Sequence, residues 1–173
     1  VYDLDGTLVR LLVDWPGLET DLAALLEDAG LDDPGGDVWS RYEKAHEHGL
    51  GHEAEELITA REAAGARESI RLPATDLIEG HTIPIGVCSL NSERACRLAL
   101  REQEVAEYVS AVIGRGSVAT LKPDPEPLLT VCELLEIEPK NVLFVGDSES
   151  DAETAARAGT MFQYVQGEPN RKR

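Results

Sequence analysis

Residues 141–159, NVLFVGDSESDAETAARAG, decide the fold of this chain. Their first five residues form an apolar run that predicts a buried strand. Asp147 and Asp151 follow with a spacing of four, which suits a strand end and the first turn of a helix. That helix is expected to end at Gly159. The stretch therefore predicts a strand–helix unit with two carboxylates at its junction.

A second pair of carboxylates lies in the stretch DLDGT, residues 3–7, which follows the apolar residues Val1 and Tyr2. Alternation along a strand sends Asp3 and Asp5 to the same side, so that the two carboxylates converge on one point. One of them can attack as a nucleophile while the other moves a proton. Taken alone, such a pair in an acidic protein is equally typical of a solvated surface.

Two further polar segments follow or precede predicted elements. Residues 83–88 are predicted to form a buried strand that ends in the sequence SLNS, which begins at Ser89. Lys122 lies in the sequence LKPDPEP, a stiff loop that opens a helix. A hydroxyl, a lysine and paired acids, each at the carboxyl end of a strand, describe one site on a parallel sheet.

The order of DLDGTL, a strand with a terminal Ser, KPDPEP and GDSESD resembles the haloacid dehalogenase-like hydrolase superfamily, specifically its phosphoglycolate-phosphatase-like branch with a helical cap. The motifs run from Asp3 to Asp151, so the resemblance covers nearly the whole chain. It implies a Mg²⁺-dependent phosphatase that hydrolyses a small soluble phosphomonoester through an aspartyl-phosphate intermediate.

The resemblance also implies roles for four carboxylates. Asp3 is expected to be the nucleophile, and Asp5 the general acid and base. Asp147 is expected to be a metal ligand, with Asp151 behind it. The predicted metal site comprises Asp3, Asp5 through its carbonyl, Asp147 and Asp151, and such oxygen ligands suit Mg²⁺.

The phosphate site implied by the resemblance consists of Ser89, Leu90, Asn91 and Lys122. Ser89 would hold a phosphoryl oxygen, and Lys122 would neutralise Asp3 and phosphate together. The family often has Asn directly after the motif hydroxyl, whereas here Leu90 intervenes before Asn91. Ser89 and Lys122 are counted with Asp3 and Asp5 as catalytic.

Alternating strands and helices with short loops predict an α/β fold, a doubly wound, Rossmann-like parallel sheet with a small α-helical cap inserted after the first strand. We expect the core to comprise residues 1–9 and 81–173 and the cap residues 10–80. The cap is predicted to contain four helices, of which Asp37 caps the second and Gly65 ends the third. An edge strand over residues 161–165 and a polar tail over residues 166–173 complete the prediction.

Composition limits the partners. The formal net charge of −17 repels nucleic acid and anionic membranes, and no apolar run of about 18 residues is present. Three cysteines without a CxxC pattern favour reduced thiols in the cytoplasm, and His46, His48 and His52 are expected to lie in a cap loop rather than in a zinc site. The acid excess suggests adaptation to a salty cytoplasm.

Several alternatives stay open at this point. A sugar phosphomutase would keep all the motifs, a 2-haloacid dehalogenase would normally lack the second acid, and a non-catalytic binding module would not bind Mg²⁺. A monomer and a dimer are both compatible with the sequence. Because relatives have several apolar residues before the nucleophile, we expect residues upstream of Val1 to be missing.

Overall fold

The structure is a computed structural model that describes residues 1–165, so the predicted polar tail lies outside the described residues. The strands are β1 (Val9–Arg10), β2 (Ile70–Arg71), β3 (Ile85–Ser92), β4 (Val109–Arg115), β5 (Leu143–Gly146) and β6 (Met161–Tyr164). The helices are α1 (Trp15–Asp28), α2 (Val38–Glu47), α3 (Gly51–Arg67), α4 (Glu93–Glu102), α5 (Glu126–Leu134) and α6 (Glu149–Ala158). Short 3₁₀ segments cover Pro73–Gly80, Ala106–Tyr108 and Pro139–Asn141. No helix within residues 1–165 is long and apolar enough to cross a membrane.

The first residues of the chain hold the main sheet together. β3 pairs with β4 and β5 pairs with β6, both in parallel. Tyr2 forms parallel bridges to Val87 of β3 and to Val145 of β5. Its N–H donates to the Gly86 carbonyl at 2.9 Å, and its carbonyl accepts from the Cys88 N–H at 2.9 Å. The spatial order is therefore β6, β5, residues 1–3, β3, β4, which confirms the doubly wound parallel sheet.

Alternation along the strands supplies a core on each face of this sheet. Val87 and Val112 pack on one face in a cluster with Ala99 and Leu100 of α4. Their neighbours along the strands, including Cys88 and Ile113, pack on the other face with residues of α5 and α6. Helices on both faces bury the strands, as a parallel sheet requires.

Helices α1 to α3 have a separate hydrophobic cluster, to which Leu18, Leu22 and Ile58 belong. Asp37 caps α2 as predicted, because its Oδ1 accepts from the Ser40 N–H at 3.0 Å. Further along, Ala74 and Ile78 pack with the residues of the sheet rather than with α1 and α2. The division into a cap of residues 10–80 and a core stays a prediction.

The predicted end of the third cap helix is wrong. α3 continues through Gly65 to Arg67, and a Cβ added at Gly65 would lie 2.7 Å from the carbonyl carbon of Leu12. Gly65 thus permits a close approach between a helix and a neighbouring segment, and it does not end the helix. The fourth predicted helix is replaced by β2, which pairs antiparallel with β1, and by the 3₁₀ segment Pro73–Gly80.

The strand predicted for residues 83–88 is displaced toward the carboxyl end, since β3 covers Ile85–Ser92. Its ladder with β4 shifts register between Ile85 and Gly86, is regular from Gly86 to Cys88, and resumes only at the pair Ser92 and Arg115. Residues 89–91 therefore lie in an irregular part of β3, where side chains can leave the strand alternation.

Candidate active site

Lys122 lies at the centre of a buried group of carboxylates. Its Nζ is 2.7 Å from Asp3 Oδ1 and 2.5 Å from Asp151 Oδ1, and it donates to the Cys88 carbonyl at 3.3 Å. The side chain of Lys122 is 2% exposed, and Asp3 and Asp151 are similarly buried. Residues that are 119 and 29 positions from the lysine thus meet at the carboxyl end of the sheet.

Asp147 joins this group directly after β5. One carboxylate oxygen from each of Asp3, Asp147 and Asp151 lies within 4.8 Å of the others. Gly6 explains how Asp147 fits, because its φ is +96° and an added Cβ would lie 2.7 Å from Asp147 Cγ. The glycine of the DLDGT stretch therefore makes room for a carboxylate of the other motif.

The first turn of α6 fixes Asp151. Its Oδ2 accepts from the N–H and the hydroxyl of Ser148 at 3.1 and 2.6 Å, while Ser148 Oγ accepts from the Asp151 N–H at 3.2 Å. This capping box satisfies helix N–H groups reciprocally. It leaves Oδ1 directed at Lys122, so Asp151 both caps α6 and holds the lysine. Gly159 ends α6 in the left-handed conformation, as predicted.

Asp5 lies beyond the strand end and outside the group of three carboxylates. The main-chain N–H of Leu11 donates to Asp5 Oδ1 at 2.9 Å, and Asp5 lines the same cavity as Asp3. The two acids therefore converge because the chain turns after Asp3, and not through the strand alternation that the sequence suggested.

The irregular part of β3 supplies polar groups beside the nucleophile candidate. Ser89 is buried, and its hydroxyl lies 3.2 Å from Asn91 Oδ1 and 3.3 Å from the Asn91 N–H. Leu90 is partly exposed, and its carbonyl accepts from Arg115 at 3.1 Å. Ser89, Leu90 and Asn91 all line the cavity that contains Lys122.

Burial and charge perturb the acid–base behaviour of the site. Burial raises the pKa of Asp3 to about 7, although the neighbouring Lys122 ammonium opposes this rise. Burial alone would lower the pKa of Lys122, but the carboxylates of Asp3 and Asp151 outweigh it and hold that pKa above its usual range. The lysine is therefore charged at neutral pH, and the carboxylates gain from any further cation.

Two charged residues of this cavity, Glu62 and Arg115, were not among the residues predicted from the sequence. Glu62 of α3 is 1% exposed and forms two hydrogen bonds of 2.9 Å with Arg115, at the end of β4. Glu62 Oε2 also accepts from the Ser92 N–H at 2.8 Å, and Glu62 Oε1 accepts from Asn91 Nδ2 at 3.2 Å. A cation soon after the apolar residues 111–113 could have drawn attention to Arg115. No local signal distinguishes Glu62 from the other acids of its helix.

The cavity itself has a volume of about 220 Å³. Residues of α1, α2 and α3 line it together with residues of the strand ends; they are Trp15, Trp39, Glu62, Asp3, Ser89, Lys122 and Asp147. The loop predicted for the three histidines is wrong for two of them, because His46 lies in α2 and His52 in α3, and only His48 follows the end of α2. His46 and His52 line a second cavity of about 540 Å³. Metal ions in proteins are bound mainly by His, Cys, Asp and Glu side chains. Within residues 1–165, the only group of at least three of these side chains close enough to share one ion is Asp3, Asp147 and Asp151.

The donor set fits a hard divalent cation. Three carboxylates within 4.8 Å of one another, of which two are buried, offer the oxygen ligands that Mg²⁺ prefers. Lys122 compensates for only part of their charge. The side chain of Asp5 does not belong to this group, so any contribution of Asp5 would come from its carbonyl, as the resemblance implied.

Comparisons with known proteins identify the family of this chain. The model of the haloacid dehalogenase-like hydrolase family matches residues 1–159. A phosphoglycolate phosphatase from Rhodospirillum rubrum is 32% identical over 92% of this chain and 75% of its own length. One from Nitrosospira multiformis is 43% identical over 74 residues, which are 42% of this chain and only 33% of that enzyme. A crystal structure of a proposed phosphoglycolate phosphatase from Lactobacillus plantarum is 25% identical, with a TM-score of 0.64, over 94% of this chain and 83% of that one.

The chain therefore belongs to the haloacid dehalogenase-like hydrolase family. Within that family it falls in the phosphoglycolate-phosphatase-like branch, as its motifs indicated.

Proposed function

We propose that this protein is a Mg²⁺-dependent phosphatase that hydrolyses a small soluble phosphomonoester through an aspartyl phosphate on Asp3. The observation that carries the proposal is the position of the Lys122 ammonium, 2.7 Å from Asp3 and 2.5 Å from Asp151 inside a buried group of carboxylates. Phosphoryl transfer depends mainly on positioning and on neutralising charge, and this arrangement supplies both.

In the proposed first step, an oxygen of Asp3 attacks phosphorus while the bond to the leaving oxygen breaks. Lys122 occupies Oδ1, so Oδ2 is the attacking atom. Ser89 holds a phosphoryl oxygen from the irregular part of β3, and the Lys122 charge stabilises the transferring group. Asp5 gives its proton to the leaving oxygen, and the bond from Leu11 keeps its carboxyl turned into the cavity.

In the proposed second step, Asp5 takes a proton from a water molecule that attacks phosphorus, and the bond to Asp3 breaks. Asp5 can exchange protons because it lies at the partly exposed rim, whereas Asp3 is buried. The difference in burial therefore gives Asp3 and Asp5 different roles in the proposed reaction.

Asp3, Asp147 and the Asp5 carbonyl would hold Mg²⁺, with Asp151 behind them. The bound ion would neutralise charge on the carboxylates and the phosphoryl group together. Asp151 is already engaged by Ser148 and Lys122, so its main contribution is to orient the lysine.

Hydrolysis of p-nitrophenyl phosphate in molar KCl tests the proposal. We expect activity with Mg²⁺, none with a chelator, none in Asp3→Asn, and a loss of about 10²- to 10⁴-fold in Asp5→Asn. Asp28→Asn, on the exposed end of α1, is the matched control and should behave as the unchanged protein. Equal rates in chelator, or substantial activity in Asp3→Asn, would exclude this mechanism.

The remaining expectations belong to the same proposal. We place the enzyme in a salty cytoplasm, as the charge of −17 suggests, and assign residues 1–9 and 81–173 to the core and 10–80 to the cap. The separate hydrophobic cluster of α1 to α3 supports that division.

A further inference from the structure

The residues that line the active-site cavity besides the catalytic candidates determine which leaving group can bind. They include Trp15 of α1, Trp39 of α2, Glu62, Leu90 and Arg115. If the phosphorus of an ester lies beside Asp3, the leaving group shares this small cavity with these residues. This inference rests on the proposed phosphatase function.

Arg115 is a cation among these residues, but its charge is already compensated. Its Nε donates to Glu55 Oε1 at 2.8 Å, and its Nη1 and Nη2 donate to the two oxygens of Glu62 at 2.9 Å. Nη1 also donates to the Leu90 carbonyl at 3.1 Å. Two carboxylates from α3 therefore surround one guanidinium, and their sum is one negative charge.

Glu62 cannot readily turn away from Arg115. Its two oxygens also accept from Asn91 Nδ2 and from the Ser92 N–H, and its side chain is 1% exposed. A fixed, buried carboxylate with charge-assisted hydrogen bonds stays in place when a ligand enters. Lys122, the other cation that lines the cavity, is likewise engaged by Asp3 and Asp151.

We propose that the natural leaving group is uncharged, an alcohol, polyol or phenol, and not a hydroxy acid such as glycolate. A carboxylate on the leaving group would lose water beside Glu62 without gaining an uncompensated cation among the described residues that line the cavity. The indole rings of Trp15 and Trp39 instead suit carbon-bound hydrogens or a ring of the leaving group. The volume of about 220 Å³ limits the substrate to a small ester.

A matched pair of esters tests the charge alone. 2-Phosphoglycolate and its amide, 2-phosphoglycolamide, have nearly the same size but differ by one charge on the leaving group. With Mg²⁺ in molar KCl at neutral pH, we expect kcat/KM to be at least about tenfold higher for the amide, equivalent to about 1.4 kcal/mol. An equal or higher kcat/KM for 2-phosphoglycolate would overturn the inference.

A variant links the preference to the named carboxylate. Glu62→Gln removes the charge while keeping the shape, so Arg115 regains attraction for an anion and the preference for the amide should fall several-fold. Glu56→Gln on the same helix, whose side chain is 71% exposed, should leave the preference unchanged. If Glu62→Gln fails to fold, the comparison of the two esters with the unchanged protein still decides.

Binding of the two esters to the Asp3→Asn variant distinguishes a failure of this inference from a failure of the phosphatase proposal. If the unchanged protein hydrolyses neither these esters nor p-nitrophenyl phosphate, the phosphatase proposal fails; if it hydrolyses p-nitrophenyl phosphate alone, that proposal stands and binding decides the inference. Calorimetric binding of the amide to Asp3→Asn about tenfold more tightly than 2-phosphoglycolate would still support an uncharged ligand. Equal binding, reversed binding or no binding of either ester would overturn the inference.

Discussion

Replacing Lys122 by Met should destabilise the protein strongly when no divalent ion is present. Met keeps the apolar length of the side chain but removes the ammonium that contacts Asp3 and Asp151 at 2.7 and 2.5 Å. Asp147 also has an oxygen within 4.8 Å of both carboxylates, so the folded variant would bury uncompensated negative charge. Breaking a buried pair by removing one partner costs about 3–5 kcal/mol, and we expect a loss of that size.

Lys140→Met is the matched control. Lys140 Nζ lies 2.6 Å from Glu138 Oε2, a distance similar to those around Lys122, but these two side chains are 73% and 68% exposed. An exposed pair contributes no more than about 1 kcal/mol because water screens it. The two substitutions are chemically identical, so the difference between them measures burial.

The loss in Lys122→Met should also grow with pH. Burial already raises the pKa of Asp3 to about 7 against the opposing effect of Lys122, and removal of the lysine raises it further. A carboxyl with a raised pKa in the folded state contributes stability at low pH that is lost as pH rises through that pKa. The slope can reach about 1.4 kcal/mol per pH unit for each proton.

Urea unfolding followed by circular dichroism, in molar KCl with a chelator, gives the free energy of unfolding of each variant. Added Mg²⁺ should recover part of the loss in Lys122→Met and none in Lys140→Met. If the two variants lost the same free energy, or if Lys122→Met lost less than about 1 kcal/mol, Lys122 would not be compensating buried charge.

Three other predictions concern the whole domain. The melting temperature should rise from low to molar KCl, because the Debye length falls from about 30 Å to about 3 Å and the repulsion between surface carboxylates is then screened. A melting temperature that does not change with KCl would show that the charge of −17 is not a salt adaptation. All three cysteines are buried, namely Cys88, Cys96 and Cys132, and burial raises the pKa of Cys88 to about 12. Thiol reagents should therefore label them only in denaturant, and rapid labelling of the folded protein would contradict this. Gly65→Ala should destabilise by about 1–3 kcal/mol through its contact with Leu12, although alanine favours helices; a more stable variant in urea unfolding would refute the close approach.

Local chemistry explains what could be predicted from the sequence. The unit that carries Asp147 and Asp151 has an apolar strand, a capping side chain and a terminal glycine in consecutive positions, so its structure follows from near neighbours. The same holds for Asp37 at the start of α2. The parallel sheet followed from the alternation of such units.

Features that depend on distant contacts could not be predicted in this way. Gly65 reads locally as a helix end, but its role is set by Leu12, which approaches from another segment. In the sequence, Glu62 does not differ from the other acids of its helix. Its burial depends on the ion pair with Arg115, which is 53 residues further along the chain. Gly6 likewise owes its position to Asp147.

The position of residues 1–3 in the middle of the sheet has a consequence during synthesis. Asp3 is made more than 100 residues before its neighbours Lys122, Asp147 and Asp151. An unfinished chain can bring α1 to α3 together around their own apolar cluster while the central strand still lacks partners on one side. Asp3 therefore stays without Lys122 and its neighbouring acids until translation has passed Asp151, and the buried group of charges assembles only late in synthesis.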